Sequence, residues 1–201
     1  MLTIGLTGGI GCGKTTVSRL FEKRNIPVID ADVISHAIVQ PGQPTLLLLK
    51  ETFGEQVLLA NGELNRQYLR ELVFNDPNKK ETLEGIMHPI IFGIMHDDLI
   101  KLNTPYGILS IPLLLETNQQ AQVDRVLVID CPETEQIQRV KARDQLSDSM
   151  INSIMRSQCS RSLRLKRADD ILLNNGSLAS IDTKVQKLHD FYLKMSAGKN
   201  N

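Results

Sequence analysis

The residues whose chemistry is easiest to name lie near the N-terminus. Gly8, Gly9, Ile10, Gly11, Cys12, Gly13, Lys14 and Thr15 form a complete GxxxxGK[ST] pattern. Phosphate oxygens need several backbone N–H groups at close range, and glycines permit that approach and the positive φ angles it requires. A helix that follows aims its N-terminus at the anion. In such a loop Lys14 reaches the β- and γ-phosphates and Thr15 ligates Mg²⁺. Gly11, Cys12, Gly13, Lys14, Thr15 and Thr16 are therefore the expected nucleotide-binding set. Cys12 has two readings. Facing phosphate beside a helix N-terminus and Lys14, its thiol would be reactive; the plainer reading is a small filler in place of serine.

A second group is Asp30-Ala31-Asp32. A carboxylate at the carboxyl end of a strand can face an acceptor hydroxyl across from the γ-phosphate. It can orient that hydroxyl, take its proton, or hold Mg²⁺ through water. An aspartate before Val33 and Ile34 is also a good helix N-cap. One of the pair can cap while the other does chemistry, and position favours Asp32 for the chemistry.

The third group is basic. Residues 139–167 hold eight basic side chains (Arg139, Lys141, Arg143, Arg156, Arg161, Arg164, Lys166, Arg167) and two acids, so the run is +6 and the rest of the neutral chain is −6. Phosphoryl transfer rests mainly on positioning and charge stabilisation, for which arginine is suited. Arg139 and Arg143 lie four apart and share a helix face. The clustering predicts a mobile lid, with Arg139, then Arg143, then Arg161 as its working cations.

These groups need a frame that brings them to one edge. Apolar runs predict strands over residues 2–7, 27–30, 107–114, 125–130 and 170–173, and helical periodicity predicts helices over 15–24, from Pro132 onward and through 181–195. Strands separated by helices imply βαβ crossovers and a parallel sheet covered on both faces. Two stretches break the alternation. Between the second and third strands lies a helical insertion, with Leu64, Tyr68, Leu69, Leu72 and Val73 on one face and a further helix over 77–87. Residues 147–167 form two short helices.

Other classes are excluded or unsupported. The balanced charge argues against a general nucleic-acid coat or a polybasic membrane binder, and the chain has no tryptophan and only 4% aromatic residues for base stacking. No apolar stretch reaches the ~18 residues of a membrane span. The N-terminus does not read as a cleavable signal. Three cysteines and four histidines make no disulfide framework or zinc pattern. No DxxG and no guanine clamp is present; Asn78-Lys79-Lys80-Glu81 reads as a solvated helix start.

Taken in order, Thr7 through Thr15, Ile29 through Asp32, His88-Pro89, Pro112 through Glu116, Gln138-Arg139 through Arg143-Asp144, Ala168-Asp169-Asp170 and Asn175-Gly176 resemble the dephospho-CoA kinases. The similarity spans about residues 3–195. One departure is Cys12, where the family commonly has serine. The resemblance implies ATP-dependent phosphorylation of the ribose 3′-hydroxyl of 3′-dephospho-coenzyme A, giving coenzyme A and ADP. It implies an α/β P-loop kinase fold: a five-stranded parallel sheet with helices on both faces, a helical acceptor-binding insertion and a helical lid. As one domain, the chain would have a core at 1–40, 105–138 and 168–201, the acceptor region at about 41–104 and the lid at about 139–167.

By the same resemblance Asp32 matches the proposed catalytic aspartate and Arg139 the nucleotide-contacting lid arginine. Asn175 and Gly176 match a loop near the adenine, and Thr7 and His88 match positions near the acceptor. Arg66 and Arg70, four apart with Tyr68 nearby, either hold the acceptor's pyrophosphate or form a solvated face. His88 either binds acceptor or breaks a helix with Pro89. Glu116 either sits at a strand end near Mg²⁺ or caps the next segment of chain. The expected ligands are ATP, Mg²⁺ and dephospho-CoA, with no nucleic-acid or membrane partner, in a cytoplasmic monomer or weak homo-oligomer. The alternatives are another small-molecule kinase, of shikimate or nucleoside monophosphates, and a non-catalytic ATP-binding switch that does not need Asp32. Shikimate kinases need a second Gly-Gly pair near the acceptor, and Gly8-Gly9 is the only one here.

Overall fold

A computed structural model describes residues 1–199. In chain order its elements are β1 (Leu2–Thr7), α1 (Lys14–Glu22), β2 (Val28–Asp30), α2 (Ala31–Ala37), α3 (Pro44–Phe53), α4 (Arg66–Asn75), α5 (Pro77–Ile100), β3 (Tyr106–Ser110), β4 (Arg125–Asp130), α6 (Glu133–Asp144), α7 (Asp148–Ser157), α8 (Arg161–Arg167), β5 (Asp170–Leu173) and α9 (Leu178–Lys199). Short 3₁₀ turns occupy Glu55–Val57 and Gln119–Gln122. Among the described residues the strands form one five-stranded sheet in the order β2-β3-β1-β4-β5. β1 is central and pairs parallel on both sides, Ile4 lying opposite Ile108 and opposite Arg125. The chain leaves β1 toward β2 and β3 on one side, then crosses to β4 and β5 on the other. The carboxyl end of β1 is thus the switch point where an α/β sheet opens a crevice.

The central strands are buried on both faces, as parallel sheets require. Leu2, Ile4, Leu6, Ile108, Leu127 and Ile129 meet Val17, Leu20 and Phe21 from α1 and Ile181, Val185 and Tyr192 from α9. Phe21, Tyr106 and Tyr192 form a three-ring cluster with centroids 5.5–6.5 Å apart. Both tyrosine hydroxyls keep partners. Tyr106 shares a 2.7 Å hydrogen bond with His189 Nδ1, and Tyr192 donates to Asp170, which also receives a two-point contact from Arg125. These partners offset the cost of burying the phenols.

Three placements differ most from the sequence expectation. The third strand stops at Ser110 rather than running to 114. Ile111 still donates to Leu6 O, at 3.0 Å, but Pro112 has no N–H to extend the ladder. The following apolar residues, Leu114 and Leu115, are buried in a turn, so the long apolar run recorded burial rather than strand. The helix expected over 77–87 continues to Ile100 through Pro89. Pro89 therefore breaks nothing: an internal proline costs about 3 kcal/mol, and the buried stripe Ile91, Met95 and Leu99 offsets it. Leu64 lies outside α4, bridging Leu58 instead.

The chain divides into two compact units, Met1–Ile29 with Lys101–Asn201 and Asp30–Ile100. The first holds the sheet core with α1 and α6 to α9. The second is helical: α5 packs against α2, α3 and α4, with Leu46, Leu49, Leu69, Ile91, Met95 and Leu99 buried.

Candidate functional site

The loop between β1 and α1 is shaped by its glycines. Gly11 and Gly13 have φ of 73° and 86°, a region that L side chains avoid. A Cβ on Gly11 would sit 2.7 Å from the Gln136 carbonyl oxygen, and one on Gly13 would collide with the Asn174 amide. Gly13 is the N-cap of α1, with no side-chain cap and no acid in the first turn. The cap residue thus brings neither a side-chain acceptor nor a negative charge to the helix start, which suits the binding of an external anion. Lys14 folds back over the loop, its ammonium donating to Gly8 O at 2.8 Å. Thr15 and Thr16 stand exposed in the first turn.

Cys12 does not face the phosphate surface, against the first of its two sequence readings and in line with the second, a small filler. Its side chain is buried, and its sulfur lies 3.7 Å from that of Cys131. The hydrogen bond from Cys131 lowers the Cys12 thiol pKa, burial opposes this, and the charges of Lys14 and Arg164 assist it.

Around the loop the carboxyl ends of β4 and β5 bring further groups. Asn174, buried just past β5, donates to Cys12 O at 2.7 Å and accepts from Arg139 at its own carbonyl at 2.9 Å. Arg139 also pairs with Glu135 at 2.6 Å. Asp130, the last residue of β4, is buried and takes both the Nε and Nη2 donors of Arg161, at 2.8 and 2.7 Å. The Arg164 guanidinium is buried, donates to Cys159 O, and lies against Gly9 together with the Gln136 amide. Gln158 accepts from the Ile10 N–H at 3.0 Å. A cavity of about 300 Å³ opens among Gln136, Arg156, Gln158, Arg161 and Arg164.

The sequence-derived set is thus partly assembled. Gly11 to Thr16, Arg139 and Arg161 belong to one cluster within the sheet unit. Arg143, one turn beyond Arg139, forms a two-point contact with its neighbour Asp144. Asn175 and Gly176 are exposed; Asn174, one residue earlier, makes the contact to the loop. Thr7 is buried and its hydroxyl donates to Pro112 O at 3.1 Å. Glu116 is not at a strand end, since β3 stops at Ser110. Its Oε1 accepts from the Cys159 N–H at 2.7 Å, tying the turn before α8. Asp130, Gln136, Gln158, Arg164 and Asn174 were not singled out by sequence. Asp130 and Asn174 carried a signal, their position at strand carboxyl ends, and Arg164 lay in the basic run. The two glutamines carried none.

In the helical unit Asp30 and Asp32 divide their roles. Asp30 caps α2, its Oδ1 accepting from Asp32 N at 2.8 Å and Val33 N at 3.4 Å. Asp32 occupies the first turn. Arg66 and Arg70 are exposed one turn apart on α4, and Arg66 borders a cavity of about 140 Å³ with Val39, Gln40, Pro41 and Glu63. Tyr68 is turned to Gln56, its hydroxyl 2.6 Å from Oε1. His88 is half-buried inside α5, its ring 6.3 Å from that of Phe92.

The residues fit a nucleotide with its divalent ion. Among the described residues no group of three or more His, Cys, Asp or Glu could cage a metal. A Mg²⁺ held by one hydroxyl and phosphate oxygens needs no such cage.

A family model described as dephospho-CoA kinase matches residues 2–180. A dephospho-CoA kinase from Hahella chejuensis is 47% identical over 195 residues, covering 97% of this chain and 94% of the relative. One from Coxiella burnetii is 47% identical over 197 residues, covering 98% and 99%. Among solved structures, TT1252 from Thermus thermophilus superposes with a TM-score of 0.84 at 31% identity over 94% of this chain and 96% of that one. A dephospho-CoA kinase from Campylobacter jejuni gives 0.70 at 27% identity over 98% of each. A shikimate kinase from Acinetobacter baumannii, at 16% identity and 0.54 over 96% and 94%, shares the fold alone.

Proposed function

Since the chain belongs to the dephospho-CoA kinase family, we propose that it performs that family's reaction, transfer of the ATP γ-phosphoryl group to the ribose 3′-hydroxyl of dephospho-CoA. The products are coenzyme A and ADP, which makes this the final step of coenzyme A biosynthesis. The observation that carries the reading is the uncapped N-terminus of α1 beneath a glycine loop, with Lys14 folded over it.

The loop amides and Lys14 bind the β- and γ-phosphates and stabilise charge as it spreads over the transferring group. The Thr15 hydroxyl would hold Mg²⁺, which would supply neutralisation of developing charge. With Asp30 committed to capping α2, Asp32 orients the 3′-hydroxyl and accepts its proton. Arg139, fixed by Glu135 and the Asn174 carbonyl, is aimed beside the loop as a nucleotide contact. Arg143 adds to the nucleotide site from the next turn of α6, and Asn175 and Gly176 border the adenine. Thr7, Arg66, Arg70 and His88 contribute to the acceptor, the arginines through its pyrophosphate. Residues 139–167 act as a lid. No helix among the described residues is long and apolar enough to cross a membrane, and the free cysteines suit a reducing cytoplasm. A monomer or weak oligomer is the working assembly.

A coupled ADP-release assay on the purified protein, offering dephospho-CoA, shikimate and nucleoside monophosphates in turn, tests the function. Turnover on dephospho-CoA alone is expected. ATP binding without turnover on it would establish a switch instead, and turnover on another acceptor would reassign the substrate.

Arg139→Ala is expected to lower kcat about tenfold to 10²-fold. Its contacts here are a half-exposed ion pair and one carbonyl, so unfolding free energy should fall only about 1 kcal/mol. Steady-state kinetics beside a denaturant titration separates the two, and a variant that simply unfolds would make Arg139 structural.

A further inference from the structure

Two sulfurs lie beneath the nucleotide loop that the proposed reaction does not use. Cys12 and Cys131 are both buried, with Sγ atoms 3.7 Å apart. The third cysteine, Cys159, is partly exposed and directs its thiol to Ser160 O. We infer that Cys12 and Cys131 form a reversible oxidation site, where a hydroperoxide converts the thiol pair into a disulfide that disables the nucleotide loop.

The two sulfurs have distinct roles. Cys131 donates its S–H toward Cys12, so the negative charge settles on Cys12. Lys14 and Arg164 favour the same form, and α1 begins two residues later, where a helix N-terminus stabilises an anion. Cys131 keeps its proton, because its hydrogen bond to Cys12 and its burial both raise its pKa. A nucleophilic sulfur thus sits beside a resolving thiol. Cys12 is buried, and the route assigned to hydrogen peroxide is a local opening of the loop, where the flanking Gly11 and Gly13 are partly exposed.

The Cys12 thiolate attacks the hydroperoxide, forming an S–O bond as the O–O bond breaks. The departing oxygen takes a proton and leaves as an alcohol, or as water from hydrogen peroxide. Cys131 then attacks the sulfenic sulfur. An S–S bond forms, the S–O bond breaks, and the hydroxyl leaves as water with the Cys131 proton. The two sulfurs lose two electrons, which reduce the peroxide.

The surroundings give the bond its effect. An S–S bond is about 2.05 Å long, so the sulfurs must close by about 1.7 Å. The neighbouring backbone is held on both sides. Asn174 grips the Cys12 carbonyl at 2.7 Å, and Gln136 grips that of Cys131 at 3.0 Å. Gly11 packs so closely on Gln136 that a Cβ would come within 2.7 Å. Of the two ends only Cys12 lies in the loop, so the part of the closure that falls on its side re-aims the amides that receive phosphate. The effect on nucleotide rests on the kinase reading of this loop; bond formation does not.

The test treats purified protein with hydrogen peroxide and maps cross-links by mass spectrometry of a non-reducing digest, with ATP binding followed by calorimetry. A Cys12–Cys131 peptide pair is expected, with ATP affinity lowered about tenfold or more, and dithiothreitol should reverse both. Treated protein in which Cys12 stays a free thiol overturns the site. A cross-link that leaves ATP affinity unchanged overturns the effect on the loop. Untreated protein that fails to bind ATP counts against the kinase reading, while the cross-link still decides the site. Cys131→Ser should abolish the cross-link and leave Cys12 as a sulfenic acid that dimedone traps, and Cys159→Ser should leave the cross-link intact. A Cys12 disulfide to Cys159 in Cys131→Ser, or loss of the cross-link in Cys159→Ser, places the chemistry on Cys159 and refutes the pair.

Discussion

Lys14→Ala is expected to lower kcat by about 10²-fold or more with little change in fold. The ammonium folds back on Gly8 O at 2.8 Å, so it already stands over the loop and needs little rearrangement to meet the β- and γ-phosphates. Preorganised charge of this kind acts on the transition state more than on the ground state. Accordingly kcat should fall further than KM for ATP rises. Lys14 is only partly buried and lies at the first turn of a helix held by Val17, Leu20 and Phe21. Its truncation should therefore leave the thermal midpoint close to that of the parent protein. Steady-state kinetics and a melting curve on the same preparation check both halves. Near-parental kcat would remove Lys14 from the transition state, and a large fall in the midpoint would make it a loop staple.

Asp32→Asn should also lower kcat by about 10²-fold or more, the scale of lost base catalysis. The substitution keeps size and removes only charge and basicity. The cap on α2 belongs to Asp30, whose side chain accepts from Asp32 N and Val33 N, so the helix start survives. The opposite pattern is expected of Asp30→Ala, which removes the cap and should cost about 1 kcal/mol of stability. If Asp32→Asn turns over dephospho-CoA at the parental rate, Asp32 neither accepts the proton nor orients the hydroxyl.

The way Asp30 and Asp32 resolve shows where sequence reading ends. Spacing named both and recognised that one would cap, but either could have done so. Backbone conformation decides it: Asp30 is extended, with φ −104° and ψ 119°, so its carboxylate turns back onto the N–H groups of Asp32 and Val33. Pro89 is a similar case. Local propensity reads it as a break, yet the helix runs on because Ile91, Met95 and Leu99 are buried along one side. The Gly107 to Leu114 run misled for the opposite reason. Its hydrophobicity was real, but Pro112 removed the donor that a longer strand would need.

Cys12 was the largest change in site geometry. One reading of the motif has its thiol facing phosphate, whereas its side chain points inward to Cys131, which is 119 residues away in sequence. Gln158 and Asn174 belong to the same class, meeting the loop at Ile10 and Cys12 from positions 148 and 162 residues distant. No local pattern encodes contacts of that range.

The sequence by itself determined the phosphate loop, the parallel sheet and the family. Each rests on residue types at short fixed spacings: glycines where side chains cannot fit, apolar runs bounded by helix starts, and an ordered set of motifs. Tertiary structure alone decided which groups surround the loop. The sheet order β2-β3-β1-β4-β5 brings the ends of β4 and β5 beside the end of β1. Asp130, Asn174 and the second cysteine arrive there by strand pairing, Arg161 follows from α8 by its contact with Asp130, and pairing partners are chosen by the packing of the whole core.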